Sequence, residues 1–132
     1  MPIFDIDLSA VSSGGVPDGT HTGTIQKVEY QIKTGEKWNQ EGTTNVSRDE
    51  FNITNDLSKA RMHITIGVPG LGNIWHDLYF SEKALGFVKS FYKALGCNLT
   101  DEIEGKSIGI SVVTKEEPGY DSRPSISKVF KA

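Results

Sequence analysis

The chain has 132 residues and a mass of 14.5 kDa, enough for one domain with a core that needs no staples. Its 17 acidic against 14 basic residues give a formal net charge of −3, which excludes a uniformly basic surface of the kind that favours phosphate. Cys97, the single cysteine, excludes an internal disulfide. The N-terminus carries no basic segment followed by an apolar run, and no run approaches about 18 apolar residues, so no signal peptide and no membrane helix are expected and the expected location is the cytoplasm.

Residues 1–18 read as a flexible N-terminal arm, with Phe4, Ile6 and Leu8 alternating with Asp5 and Asp7 as in a short edge strand. Ser12, Ser13, Gly14 and Gly15 form a joint, and Pro17, Asp18 and Gly19 a turn. Residues 19–132 then read as a single domain. Thr20 to Ile32 is a strand, with Ile25 on one parity and Val28, Tyr30 and Ile32 on the other. That switch at Gln26 and Lys27 predicts a bulge, which bends a strand as a small barrel requires. Residues 33–58 are polar and aperiodic, a long loop with room for a small hairpin of its own, whose only large aromatics are Trp38 and Phe51.

From Lys59 to Val68 the chain alternates, with Met62, Ile64, Ile66 and Val68 on one side and Arg61, His63 and Thr65 on the other. A glycine-rich hairpin turn leads to a second alternating run, Ile74 to Phe80. Ser81 reads as the N-cap of a helix, Glu82 suits its dipole, and Gly96 suits its left-handed end. Ala84, Leu85, Val88, Phe91, Tyr92 and Leu95 give that helix one apolar face. Ile108, Ile110 and Val112 mark the next strand, Glu116 to Arg123 a loop, and Ser125 to Phe130 the last strand. The order predicts a mainly β protein: a five-stranded OB-fold Greek-key barrel with one helix between its third and fourth strands.

If Met62, Ile64, Ile66, Ile74, Leu78 and Phe80 face inward, then Arg61, His63, Trp75, Asp77 and Tyr79 face outward together. Aromatic rings are stacking platforms for bases, and cations track phosphate. The flanking loops add Lys33, Lys37, Trp38 and Arg48 on one side and Lys115, Tyr120 and Arg123 on the other. Asp77 keeps this face from being uniformly positive. The structural alternative is that Trp75 and Tyr79 pack beneath the long loop or the arm.

Other chemistries find less support. His21, His63, His76 and Cys97 lack finger-like spacing, so no metal is expected. His76, on the inward parity, reads as a satisfied core histidine. The run Gly67 to Gly72 joins two strands and lacks the helix a phosphate loop needs. No Ser–His–Asp set or metal-binding carboxylate cluster can be assembled at a strand end, so no cofactor and no enzymatic activity are expected.

Several segments resemble the phage-encoded single-stranded DNA-binding proteins. They are Phe4-Asp5-Ile6-Asp7-Leu8-Ser9, Pro17-Asp18-Gly19-Thr20-His21-Thr22-Gly23, Ala60-Arg61-Met62-His63-Ile64-Thr65-Ile66, Ala94-Leu95-Gly96 and Glu104-Gly105-Lys106. The insert around residues 39–57 is longer than that family's pattern. The resemblance implies an OB fold, sequence-tolerant binding of single-stranded DNA, and a role in phage replication or recombination with other proteins of those processes. The chain ends Ser127-Lys128-Val129-Phe130-Lys131-Ala132, without the acidic tail many such proteins use to recruit partners.

The expectation is therefore a DNA-binding protein without enzymatic activity, with a homo-oligomer compatible. Phosphate contacts would come from Arg61, Lys33, Lys37, Lys115 and Arg123, with His63 on the same face. Stacking would come from Trp75, Tyr79, Trp38 and Tyr120. The alternative is a β-rich phage virion or assembly subunit, for which the glycine-rich strands, the arm and the long loop would also be suited.

Overall fold

The computed structural model describes residues 16–115 and 123–132. The Phe4–Leu8 strand expectation and Tyr120 lie outside them. β1 (Gly19–Lys33), fifteen residues long, is the strand on which the sheet is built. Its first part pairs with β5 (Ser107–Lys115), its second with β3 (Ala60–Val68), and its last four residues with β2 (Thr43–Val46). β3 continues through a tight turn into β4 (Gly72–Tyr79), and β5 pairs with β6 (Arg123–Phe130). The sheet is six-stranded and antiparallel, in the order β4-β3-β1-β5-β6 with β2 attached to β1.

The predicted bulge is present: the β1–β3 register shifts between Ile25 and Lys27. Gln26 is the extra residue, so Ile25 and Val28 both reach the core side. The core is made by alternation on four strands. Ile25, Met62, Ile64, Ile66, Ile74, Leu78, Ile108, Ile110 and Val112 are all at most 2% exposed. Each such side chain contributes about 1.5–3 kcal/mol over an exposed one. Val16 joins this core, and Thr114 Oγ1 donates to Asp18 Oδ1 at 2.6 Å, so residues 16–18 are fastened to the domain.

The helix differs at its start. α2 spans Leu85–Leu95, after a 3-10 turn at Glu82–Ala84. The Ser81 hydroxyl makes no capping bond; its carbonyl instead accepts from the Ala84 amide at 2.8 Å. The end is as predicted. Gly96 has φ +69, its amide donates to Lys93, and the Cys97 amide donates to Tyr92. That is a Schellman closure, for which a residue without Cβ is favoured. Val88, Phe91 and Tyr92 are buried, whereas Leu85, expected on the same apolar face, remains 39% exposed.

The sheet is not closed into a barrel. The edge strands β4 and β6 approach each other without a hydrogen-bonded ladder, and α2 packs against β4, β5 and β6. Side-chain packing of the helix thus bridges the two edges where a closed barrel would have backbone bonds.

The segment 33–58 is more ordered than its composition predicts. β2 completes a ribbon with the end of β1. α1 (Arg48–Asn52) follows, with Ser47 Oγ accepting from the Glu50 amide as its N-cap. Phe51 anchors it in an aromatic row, with ring centroids 5.2 Å from both Tyr30 and Phe80.

Candidate nucleic-acid interface

Strand register places the outward residues in rows. Tyr79 aligns with Arg61, Arg61 with Gln31, and Gln31 with Asn45. Asp77 aligns with His63 and His63 with Glu29, while Trp75 aligns with Thr65 and Thr65 with Lys27. The expected face formed by Arg61, His63, Trp75, Asp77 and Tyr79 therefore exists, and β1 and β2 extend it.

Arg61 is its centre, and its guanidinium is engaged on every side. Nε donates to Gln31 Oε1 at 2.7 Å, and Nη1 stands 3.5 Å from the Tyr79 hydroxyl and 3.8 Å from Asp77 Oδ2. The ring of Trp38 covers the cation, its centroid 4.4 Å from Cζ. Trp38 meets Tyr79 nearly edge-on, with centroids 5.8 Å apart. Arg61 thus orders two aromatic rings instead of presenting an open charge. Asp77 is shared, its Oδ1 lying 2.6 Å from His63 Nδ1. The carboxylate contact holds the His63 ring in place on this face.

A second chain of polar contacts continues across β1. Gln31 Nε2 donates to Asn45 Oδ1 at 2.9 Å, and Asn45 Nδ2 donates to Glu29 Oε2 at 2.9 Å. Lys27 Nζ lies 3.2 Å from Glu29 Oε1. Burial alone would raise the Glu29 carboxyl, but hydrogen bonds from Lys27 and Asn45, with the charges of Lys27 and His63, hold it below its ordinary value. Sequence reading did not single out Lys27, Glu29, Gln31 or Asn45. The β1 parity already placed the first three opposite Val28 and Tyr30; only the β2 pairing adds Asn45.

Two aromatics remain open. Trp75 is 56% exposed and Tyr79 38%. Among the described residues no ring stacks on Trp75. The loop therefore covers Tyr79 in part, through Trp38, and leaves Trp75 bare. Lys33 shares the outward parity of Gln31, and Lys37 is exposed in the turn beside Trp38. Neither has a carboxylate partner among the described residues.

Other expected residues lie elsewhere. Arg48 is not on this face; its guanidinium donates to the Thr100 carbonyl on the core side of the sheet. Lys115 is exposed at the end of β5, beyond the β1 end opposite to Gln31, and so is not brought to the aromatic cluster. Arg123 begins β6 opposite Lys115. His76 is on the inward parity as expected, but its ring stacks on Phe91 at 5.7 Å, and no described side chain or backbone group hydrogen-bonds to it. Burial lowers its pKa, with the Asp77 charge opposing. Among the described residues no group of three His, Cys, Asp or Glu side chains could hold a metal ion.

No helix among the described residues is long and apolar enough to cross a membrane. Comparison of the sequence with protein-family models gives no match, and comparison with curated proteins gives none either.

Proposed function

We propose that the protein binds single-stranded DNA without sequence preference, across the outward face of β3 and β4 and the Trp38 turn. The observation that carries this reading is the run of rings Trp75, Tyr79 and Trp38 on one open sheet face, two of them exposed and one laid on Arg61. Each base stacked on such a ring is worth about 1–3 kcal/mol, whichever base it is. Lys33 and Lys37 border the rings and are the cations not already neutralised by a neighbour on that face. Arg61 acts by positioning Trp38 and Tyr79. His63, on the same face, adds a polar contact.

The finer fold reading belongs to the same proposal. The order β4-β3-β1-β5-β6, with the two edges drawn together beside a helix, supports reading the sheet as a five-stranded Greek-key barrel of the OB type left open at one seam. With the quoted segments that resemble phage single-stranded DNA-binding proteins, this supports a place in phage DNA replication or recombination. Titration with poly(dT), followed by tryptophan fluorescence at low and at high salt, tests the reading. Quenching that weakens steeply with salt supports it. No quenching and no gel shift at low salt overturns it.

A further inference from the structure

The outward face has a pocket at its β2 end. Gln31, Trp38, Asn39, Thr43, Asn45 and Arg61 enclose about 310 Å3 between the 34–42 turn and the strands, with Gln40 at the rim. Gln31 is in register with Asn45 and Lys33 with Thr43, so the pocket continues the face that carries Tyr79 and Arg61. The turn over it is tightly built. The Thr34 and Gly35 amides both donate to the Gly42 carbonyl, and the Gly42 amide donates to Asn39 Oδ1 at 2.7 Å. A Cβ on Gly42 would collide with the Lys37 carbonyl oxygen, so only glycine lets the turn close this far.

The polar groups lining the pocket have a fixed sense. Arg61 Nε can only donate, and the Glu29 carboxylate can only accept. The chain from Arg61 through Gln31 and Asn45 to Glu29 therefore has one orientation: both amide oxygens accept and both amide nitrogens donate. Asn39 is turned in the same sense, because its oxygen takes the Gly42 amide. All three oxygens thus already accept a hydrogen bond. Each NH2 group keeps at least one hydrogen with no acceptor among the described residues. Thr43 Oγ1 is, among the described residues, the one buried side-chain nitrogen or oxygen without a partner. Unpaired buried polar atoms are rare, and this one belongs to the pocket wall. What the pocket offers a ligand is an excess of donors beside the Trp38 ring.

Charge and size narrow the ligand. Asp77 stands 3.8 Å from the Arg61 guanidinium and Glu29 closes the amide chain, so the lining favours a neutral ring over a phosphate. The volume, at the lower end for ligand sites, suits one base. We infer, as a refinement that rests on DNA binding by this face, that the pocket seats one base of the strand by its edge and selects a keto base. The ring carbonyl of thymine or guanine accepts from the free amide hydrogens, and the neighbouring ring N–H donates to Gln40, whose amide has no described partner of its own. Adenine has no carbonyl, and its amino group would meet donors. Lys33, opposite Thr43, supplies a cation for the adjoining phosphate. Stacking on Trp75 and Tyr79 stays indifferent to the base, so the preference falls on one nucleotide of the bound strand.

Fluorescence anisotropy at low salt tests this with a labelled oligo(dA) of about twelve nucleotides, a length within the reach of one such domain. Two further strands carry, in place of one central adenine, a thymine or a hypoxanthine, which is a keto purine. Either replacement is expected to tighten binding about fivefold or more, the scale of one discriminating base-edge contact. Asn39→Asp keeps the oxygen that holds Gly42 but exchanges the free NH2 group for an acceptor. It is expected to remove that gain with the melting temperature unchanged. Trp75→Ala is expected to weaken all three strands and keep the gain. Equal affinity for the three strands overturns the keto pocket and leaves DNA binding standing. A gain with thymine alone would mean selection by ring size, and a gain that persists in N39D would place the contact elsewhere; either result overturns the proposal. If none of the strands binds, DNA binding by this face fails and the pocket assignment fails with it.

Discussion

The Arg61 guanidinium lies 4.4 Å from the Trp38 ring centroid, and this contact ties the turn after β1 to the outward face of β3. Cation–π pairs of this kind are worth about 0.5–2 kcal/mol. Removing Arg61 also strips partners from Gln31, which is 8% exposed, and from Asp77. Arg61→Met is therefore expected to cost about 1–3 kcal/mol in urea unfolding. In a Trp75→Phe background, where Trp38 is the reporter, its emission should shift to the red. Arg61→Lys should not restore either property, since a point charge cannot satisfy Gln31 and lie flat on the ring together. Unchanged emission in R61M would show that Trp38 is held by something else.

Trp75 has the opposite character: it is 56% exposed and contributes to no described ring pair. Trp75→Ala should change stability by no more than about 0.5 kcal/mol. It should weaken binding of an oligo(dT) by about 1–3 kcal/mol, the value of one lost stacking platform. Fluorescence anisotropy of a labelled oligonucleotide measures this. Equal affinity in W75A would remove Trp75 from the interface.

Gly109 and Phe130 make a contact that a single methyl would break. A Cβ on Gly109 would lie 2.2 Å from the Phe130 ring. Gly109→Ala should destabilise by about 1–3 kcal/mol through overpacking. Adding Phe130→Ala, which takes the ring away, should make the second substitution nearly free, so the two effects will not add. Additive losses in thermal unfolding would place the strain in the backbone instead.

His76 provides a pH dependence with a definite sign. Its folded pKa lies below the ordinary 6.5 because burial disfavours the imidazolium. The unfolded chain therefore takes up the proton first as pH falls. The stability contributed by the neutral ring is complete above about pH 6.5 and declines below it. The groups facing it are Phe91, on which it stacks, and the neighbouring Asp77 charge, which opposes the shift. Urea midpoints from pH 7.5 to 5.0 should fall for the parent protein and fall less for His76→Leu. Parallel slopes would assign the dependence to other groups.

How much of this was legible in the sequence follows from which forces hold each part. Parity on β3 and β4 was readable because Met62, Ile64 and Ile66 alternate without interruption, and it placed Arg61, Trp75 and Tyr79 on one face. Gly96 and the bulge at Gln26 were readable because each leaves a local mark. β2 and α1 were not, since Thr43–Val46 and Arg48–Asn52 are too short to hold themselves. They depend on the β1 ladder and on Phe51 between Tyr30 and Phe80. Ser47, with Glu50 three residues on, was the one local signal for α1. Composition also made Arg61 a free cation. Only the folded arrangement of Gln31, Asp77 and Trp38 gives it its positioning role. The open seam between β4 and β6 has no sequence signature, because strand order is the same whether or not the last ladder forms.

Photocrosslinking most directly tests whether the outward face of β3 and β4 binds DNA. A single-stranded oligonucleotide carrying 5-iodo-deoxyuridine is irradiated with the protein at low salt, and crosslinked peptides are identified by mass spectrometry. Adducts are expected at Trp75, Tyr79 and Trp38, lost when unlabelled poly(dT) competes. Adducts confined to α1 or to α2, or no adducts at all, would contradict binding at this face.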